Sequence, residues 1–174
     1  MESVLREKPH PDEYPGHYTH YVALVPEGNI LETFEQQSAV THEFLSGIPE
    51  DTGDHTYAFG KWTIKDIVGH LIDTERIFST RAMRIARGDK QALPGFEQDD
   101  YVKNANFFRR SLKDLVDERL MLRAANMKMF RSFDKHTFME KGIANDNEIT
   151  VRAIIYLLTG HEIYHLNFIK ENYL

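Results

Sequence analysis

The chain has 174 residues, 41% of them hydrophobic and 28% charged, which suits one compact domain with a full core and not a disordered or membrane-embedded chain. It contains no cysteine, which excludes disulfides, thiolate metal sites, iron–sulfur clusters and a cysteine nucleophile, so any metal must be held by His, Asp or Glu. The formal charge is −6 and no Lys/Arg block stands out; nucleic acid is therefore not an expected partner.

Residues 1–28 carry Pro9, Pro11, Pro15 and Pro26 among His10, Tyr14, His17, Tyr18, His20 and Tyr21. They read as an extended arm lying against a helical domain of residues 29–174. The start, MESVLREKPHPDEY, has charges where a signal peptide would be apolar. No apolar run approaches the roughly 20 residues of a membrane span. A cytoplasmic protein without membrane association is expected.

The first predicted helix runs from Asn29 to about Ser46, with Ile30, Phe34, Thr41 and Leu45 at helical spacing, and Gly47 and Pro49 ending it. Thr63-Ile64-Lys65-Asp66 matches a capping box and starts the second, whose stripe of Ile64, Ile67, Leu71, Phe78, Ala82 and Ile85 ends near Gly88. A third helix is predicted over about Val102 to Phe133, with Phe108, Leu112, Leu115, Leu122, Met129 and Phe130 in the core and room for a kink. Strand signal is weak, and Glu148–Thr150 is the one place where brief pairing is plausible. Thr150 then caps a fourth helix reaching the C-terminus. The sum is all-α: a four-helix bundle with an extended N-terminal arm.

In the fourth helix the stripe reads Val151, Ile154, Leu158, His161, His165, Phe168. Two histidines thus occupy core positions one turn apart on one face, where they can share an ion, since buried imidazoles need partners. A third protein ligand is usual for zinc-like ions, and His70, at the edge of the second helix's stripe, is the candidate. Its ordinary alternative is a boundary histidine bonded to a carbonyl. His70 can reach the pair in a parallel or an antiparallel packing. The string His161-Glu162-Ile163-Tyr164-His165 also fits the H-E-x-x-H pattern of zinc peptidases, but only nine residues follow it, with Glu171 the sole acid to complete a peptidase site.

Four segments, DEYPGHYTHYVALVPEGNI, GKWTIKDIVGHLIDTERIFSTRAMRIARGD, LPGFEQDDYVKNANFFRRSL and ITVRAIIYLLTGHEIYHLNFI, resemble the DinB-like (DinB/YfiT) superfamily. The resemblance implies that His70 in GHLIDTE and the pair in GHEIYH, His161 and His165, are metal ligands. It also implies a four-helix bundle, often a homodimer, with a zinc- or nickel-like ion near one end of a cleft. Some relatives are thiol S-transferases using a low-molecular-weight thiol such as bacillithiol or mycothiol, and others are described as metal-dependent hydrolases.

Three neutral imidazoles leave an ion its full charge, so a water or thiol beside it loses its proton readily. The absence of cysteine fits a nucleophile brought from outside, with a small molecule as substrate. Asp73 and Glu162 are the carboxylates expected to orient the imidazoles or assist catalysis, each with the alternative of a solvated surface charge. Tyr101, Asn106 and Arg109 line the cleft or brace the third helix. A non-catalytic, stress-response metal scaffold is the contrasting expectation, in which His17 or His20 closes the site as a fourth ligand.

Overall fold

In the computed structural model, which describes residues 3–174, the α-helices are Ser3–Arg6 (α1), Thr19–Leu24 (α2), Ile30–Ser46 (α3), Ile64–Ala86 (α4), Gln98–Ala105 (α5), Leu112–Arg131 (α6) and Val151–Asn172 (α7). The caps read at Thr63 and Thr150 are where α4 and α7 start. Thr63 Oγ1 accepts from the Asp66 N–H at 3.0 Å while the Asp66 carboxylate accepts from the Thr63 N–H at 2.9 Å. Asn29, Ser111 and Thr150 cap α3, α6 and α7 in the same manner, each accepting a backbone N–H. At the other end of α4, Gly88 (φ +80°) and Asp89 donate their N–H groups back to Ile85 and Arg84, closing the helix in a left-handed turn.

Helices α3, α4, α6 and α7 form the bundle: α4 packs on α6 and α7, and α3 packs on the same two. Their apolar residues divide into two clusters. Ile30, Phe34, Phe78, Ile85, Phe130 and Ile154 belong to one; Leu45, Ile64, Ile72, Leu115, Leu166 and Ile169 belong to the other. Each helix contributes to both, so its order through them gives its direction. Helices α3 and α7 run from the first cluster to the second, α4 and α6 the opposite way. His70 therefore meets the histidines of α7 across an antiparallel pair.

Two parallel, sequential helices require a connection that spans the bundle, and this corrects the prediction of one helix from Val102 to Phe133. The segment after α4 travels back along the bundle, with Leu93 in the first cluster and Val102 and Phe107 in the second. It forms α5, breaks at Asn106, whose φ of 55° and ψ of 45° are left-handed, passes a 3-10 turn at Phe107–Arg109, and only then enters α6. The break rotates the phase of the pattern: Phe107 is buried and the expected core residue Phe108 is 64% exposed.

The N-terminal arm is also corrected. Its described part is not uniformly extended, because the proline-free stretch between Pro15 and Pro26 winds into a 3-10 turn, Gly16–Tyr18, followed by α2. As expected, it lies against the bundle, with α2 on α7. Met1 and Glu2, the start of the predicted arm, lie outside the described residues.

Lys141–Ala144 (β1) and Asn147–Thr150 (β2) pair antiparallel, Lys141 opposite Thr150. Asn145 and Asp146, with φ of 49° and 61°, form the hairpin turn. Among the described residues no helix is long and apolar enough to cross a membrane.

Candidate metal centre

Between the two apolar clusters α7 presents the run Thr159–His165, and α4 presents His70, Thr74 and Glu75. Glycine precedes the first histidine on both helices, and in both cases a neighbour occupies the space of the missing Cβ. A Cβ on Gly69 would lie 2.4 Å from the Phe107 ring, and one on Gly160 only 2.0 Å from the Tyr21 carbonyl oxygen. The crossover segment and α2 are thereby seated directly on the backbone beside His70 and His161.

The three histidines converge. His161 Nε2 lies 3.1 Å from His70 Nε2 and 3.0 Å from His165 Nε2, and among the described residues these three alone form a cluster of potential metal ligands. Nitrogens bound about 2.0–2.1 Å from a tetrahedral ion stand roughly 3.3 Å apart, close to the observed spacing. Burial pushes the His70 imidazolium pKa down to about 4. Burial and then the neighbouring His70 push His165 down to about 3. His161 lies well below the ordinary value, through burial and then its neighbours His165, His70 and His20. All three are neutral near pH 7. One N–H can bridge only two of three converging nitrogens, which leaves a buried lone pair facing its neighbours. A cation at the centre satisfies all three, so the donor set fits a divalent metal.

The surroundings differ from those read in the sequence. Asp73 does not approach an imidazole; it pairs with Arg76 at 3.5 Å on the outer side of α4. Thr74 Oγ1 lies 3.5 Å from His70 Nδ1, and the Trp62 ring centroid lies 4.9 Å from that of His70.

Glu162 is neither beside the converging ring nitrogens nor a surface charge. It is 2% exposed and accepts from Thr41 Oγ1 (2.7 Å), Arg119 Nε (2.9 Å) and Arg123 Nη2 (2.7 Å). Burial raises the Glu162 pKa, but Arg119 and Arg123 outweigh it and hold the carboxyl below its ordinary value. A carboxylate buried among these donors, held ionised by two guanidiniums and outside the histidine cluster, is not placed to serve as the general base there, and the peptidase reading of H-E-x-x-H loses its glutamate.

Neither His17 nor His20 joins the histidine cluster. His20 stays against Tyr21 and Tyr164, with ring centroids 3.9 and 6.0 Å away. Tyr101 packs edge-on to Phe96, Asn106 makes the helix break, and Arg109 lies over Phe108; none lines the cavities at the histidines.

Two cavities reach the histidines from different sides. One, of about 290 Å³, is walled by Tyr18, Tyr21, Phe78 and Phe96 and ends on His70 and His161. The other, of about 540 Å³, ends on His165. Gln98 and Asp99, in the first turn of α5, border both. Sequence reading missed Tyr18, Tyr21, Trp62, Gln98 and Asp99 as site residues, because none carries a spacing signal and all arrive by the placement of the arm, a loop or the crossover. The arginines of α6 did leave a trace: Arg119 and Arg123, four apart, stand on its buried face.

The fold is similar to that of YfiT from Bacillus subtilis, described as a probable metal-dependent hydrolase with an unusual four-helix bundle topology. The TM-score is 0.70 at 15% identity, over 97% of this chain and 95% of YfiT; at that identity the likeness establishes the fold. No curated protein matches the chain by sequence. The family model described as the DinB superfamily matches residues 33–169. That span runs from the first turn of α3 through most of α7 and includes all three converging histidines, and the chain belongs to the DinB superfamily.

Proposed function

We propose that the chain is a metal-dependent enzyme in which His70, His161 and His165 hold one divalent ion, zinc or nickel, and which transfers a low-molecular-weight thiol to an electrophilic small molecule. The observation that carries this reading is the convergence of three neutral Nε2 atoms at 3.0–3.1 Å in a cleft open to two cavities. When bound, such an ion supplies a Lewis acid that lowers the pKa of a thiol or water near pH 7.

The chain's own residues do the rest. Thr74 stands at the far ring nitrogen of His70 and restrains the ring. Tyr21, with its ring 5.3 Å from that of His161, closes one side of the site against water. Gln98 and Asp99 offer hydrogen-bonding groups to both cavities. Two cavities on two sides of one centre suit two organic reactants, and a chain without cysteine needs its thiol from outside. A second reading, hydrolysis, is favoured by the description of YfiT, and needs only one organic substrate.

The test begins with elemental analysis of protein purified without a metal-affinity tag, beside the His70→Ala variant. About one zinc or nickel per chain, lost in the variant, supports the centre. The loaded protein is then assayed with several low-molecular-weight thiols and a chromogenic electrophile, and with ester and amide substrates lacking thiol. Thiol-dependent turnover supports transfer; thiol-independent cleavage supports hydrolysis; absence of metal from both proteins overturns the proposal.

A further inference from the structure

The two cavities differ in chemistry. The one ending on His70 and His161 adds Glu97 to the Asp99 that both cavities share and has no Lys or Arg in its lining. The one ending on His165 is walled by Tyr57, Trp62, Tyr164, Phe168 and Tyr173; Lys61 is the sole Lys or Arg lining it, and Asp99, shared with the other cavity, is its sole carboxylate. Among the described residues Lys61 has no ion-pair partner within 4 Å, unlike the neighbouring Lys65, which is committed to Asp54 at 2.8 Å.

The aromatic walls are held in place. The Tyr173 hydroxyl donates to the Trp62 carbonyl oxygen at 2.6 Å, and Tyr57 meets Phe168 and Tyr173 edge-on at centroid distances of 5.5 and 5.2 Å. Tyr57 and Tyr164 are nonetheless 38% and 39% exposed, so the cavity offers ring surface that the protein itself does not cover. Such surface gains most from a flat apolar group, which stacks on or meets these rings edge-on. A cationic guest, the usual occupant of an aromatic cage, is disfavoured by the Lys61 ammonium.

We propose that this cavity binds an aromatic anion: a small molecule with one flat ring against the aromatic walls and an acidic group paired with Lys61. This rests on the reading of the histidines as the reactive centre and names the class of its second reactant, placed with its ring toward His165. Gln98 and Asp99 then separate it from whatever occupies the other cavity.

Trp62 is the only tryptophan of the chain and lines this cavity, so its fluorescence reports binding directly. The probe is benzenesulfonate, which carries ring and anion but is a poor metal ligand. It is compared with methanesulfonate, benzyl alcohol and benzyltrimethylammonium on the full chain as purified, and again after chelator treatment, with metal content measured in both. Saturable quenching by benzenesulfonate is expected, at least tenfold weaker in Lys61→Met and in Phe168→Ala, with methanesulfonate and benzyl alcohol both weaker binders. Tighter binding of benzyltrimethylammonium, no saturable binding of benzenesulfonate, or unchanged affinity in Lys61→Met overturns the proposal. The two readings fail separately: benzenesulfonate binding by protein that holds no metal as purified keeps the aromatic-anion site and removes the metal enzyme, whereas metal without benzenesulfonate binding does the reverse.

Discussion

Glu162 and Arg123 pair at 2.7 Å inside the bundle, both 2% exposed, although Glu162 follows directly on a histidine of the converging trio. The pair belongs to a buried layer. Arg119 also donates to Glu162, Arg123 donates to Glu75 and to the Phe34 carbonyl oxygen, and Asn126 donates to Glu75. Two cations and two anions thus lock α4, α6 and α7 in one rotation about their axes, which aims His161 and His165 at His70. Removing one partner of such a layer leaves a buried charge unpaired, which costs about 3–5 kcal/mol. Glu162→Ala is expected to lose stability on that scale in urea denaturation; a loss below about 1 kcal/mol would contradict the structural role assigned to it.

Gly160 carries a steric constraint that its sequence context does not announce. Alanine there sets a methyl 2.0 Å from the Tyr21 carbonyl oxygen, so α2 must lift from α7. Gly160→Ala is expected to destabilise the protein by roughly 1–3 kcal/mol and to raise hydrogen exchange in residues 19–24. Gly16→Ala, where nothing lies within 4 Å, serves as the control and leaves both unchanged.

Metal content discriminates among the nine histidines. His165→Ala is expected to lose most of the bound ion and the thermal stabilisation that metal addition confers, because a ligand that binds only the folded state stabilises it. His10 and His136 are exposed and stand outside the cluster; their alanine variants are expected to keep full metal content by elemental analysis.

The arm is fastened by Glu13, which accepts from Arg152 Nε at 2.7 Å, Thr150 Oγ1 at 2.9 Å and the His10 N–H at 2.8 Å. Burial raises the Glu13 pKa, but Arg152 and the other donors outweigh it, so the folded value lies below the ordinary 4.5. A carboxyl depressed by folding stabilises fully above its unfolded pKa and loses that stabilisation as pH falls through the folded value. The melting-temperature advantage of the wild type over Glu13→Gln is therefore expected to be constant from pH 7 to about 5 and to shrink below pH 4.5. An advantage that grows on acidification would reverse the assignment.

Much of the architecture was legible because it is local. The caps at Thr63 and Thr150, the helix start near Asn29, the turn at Gly88 and the apolar stripes of α3, α4 and α7 depend on residues within a few positions of one another, and the sequence shows them directly. The i, i+4 spacing of His161 and His165 is likewise a property of one helix. Where the chain must satisfy a distant demand, local reading failed. The crossover between parallel α4 and α6 imposes the break at Asn106, which exchanges Phe108 for Phe107 in the core. The role of Glu162 depends on two arginines about forty residues earlier in the chain.

By itself, then, the sequence determined α3, α4 and α7, the chain's membership in the DinB superfamily and the three histidines on the apolar stripes of α4 and α7. Only the tertiary structure decided that α4 and α7 meet antiparallel with the three Nε2 atoms at one point, that Asp73 and Glu162 turn to arginines, and that α2 and the crossover wall the site. Helix formation is governed by hydrogen bonds and side chains within a turn or two, whereas the rotation and partner of each helix follow from which buried charges and glycine gaps find complements across the whole bundle.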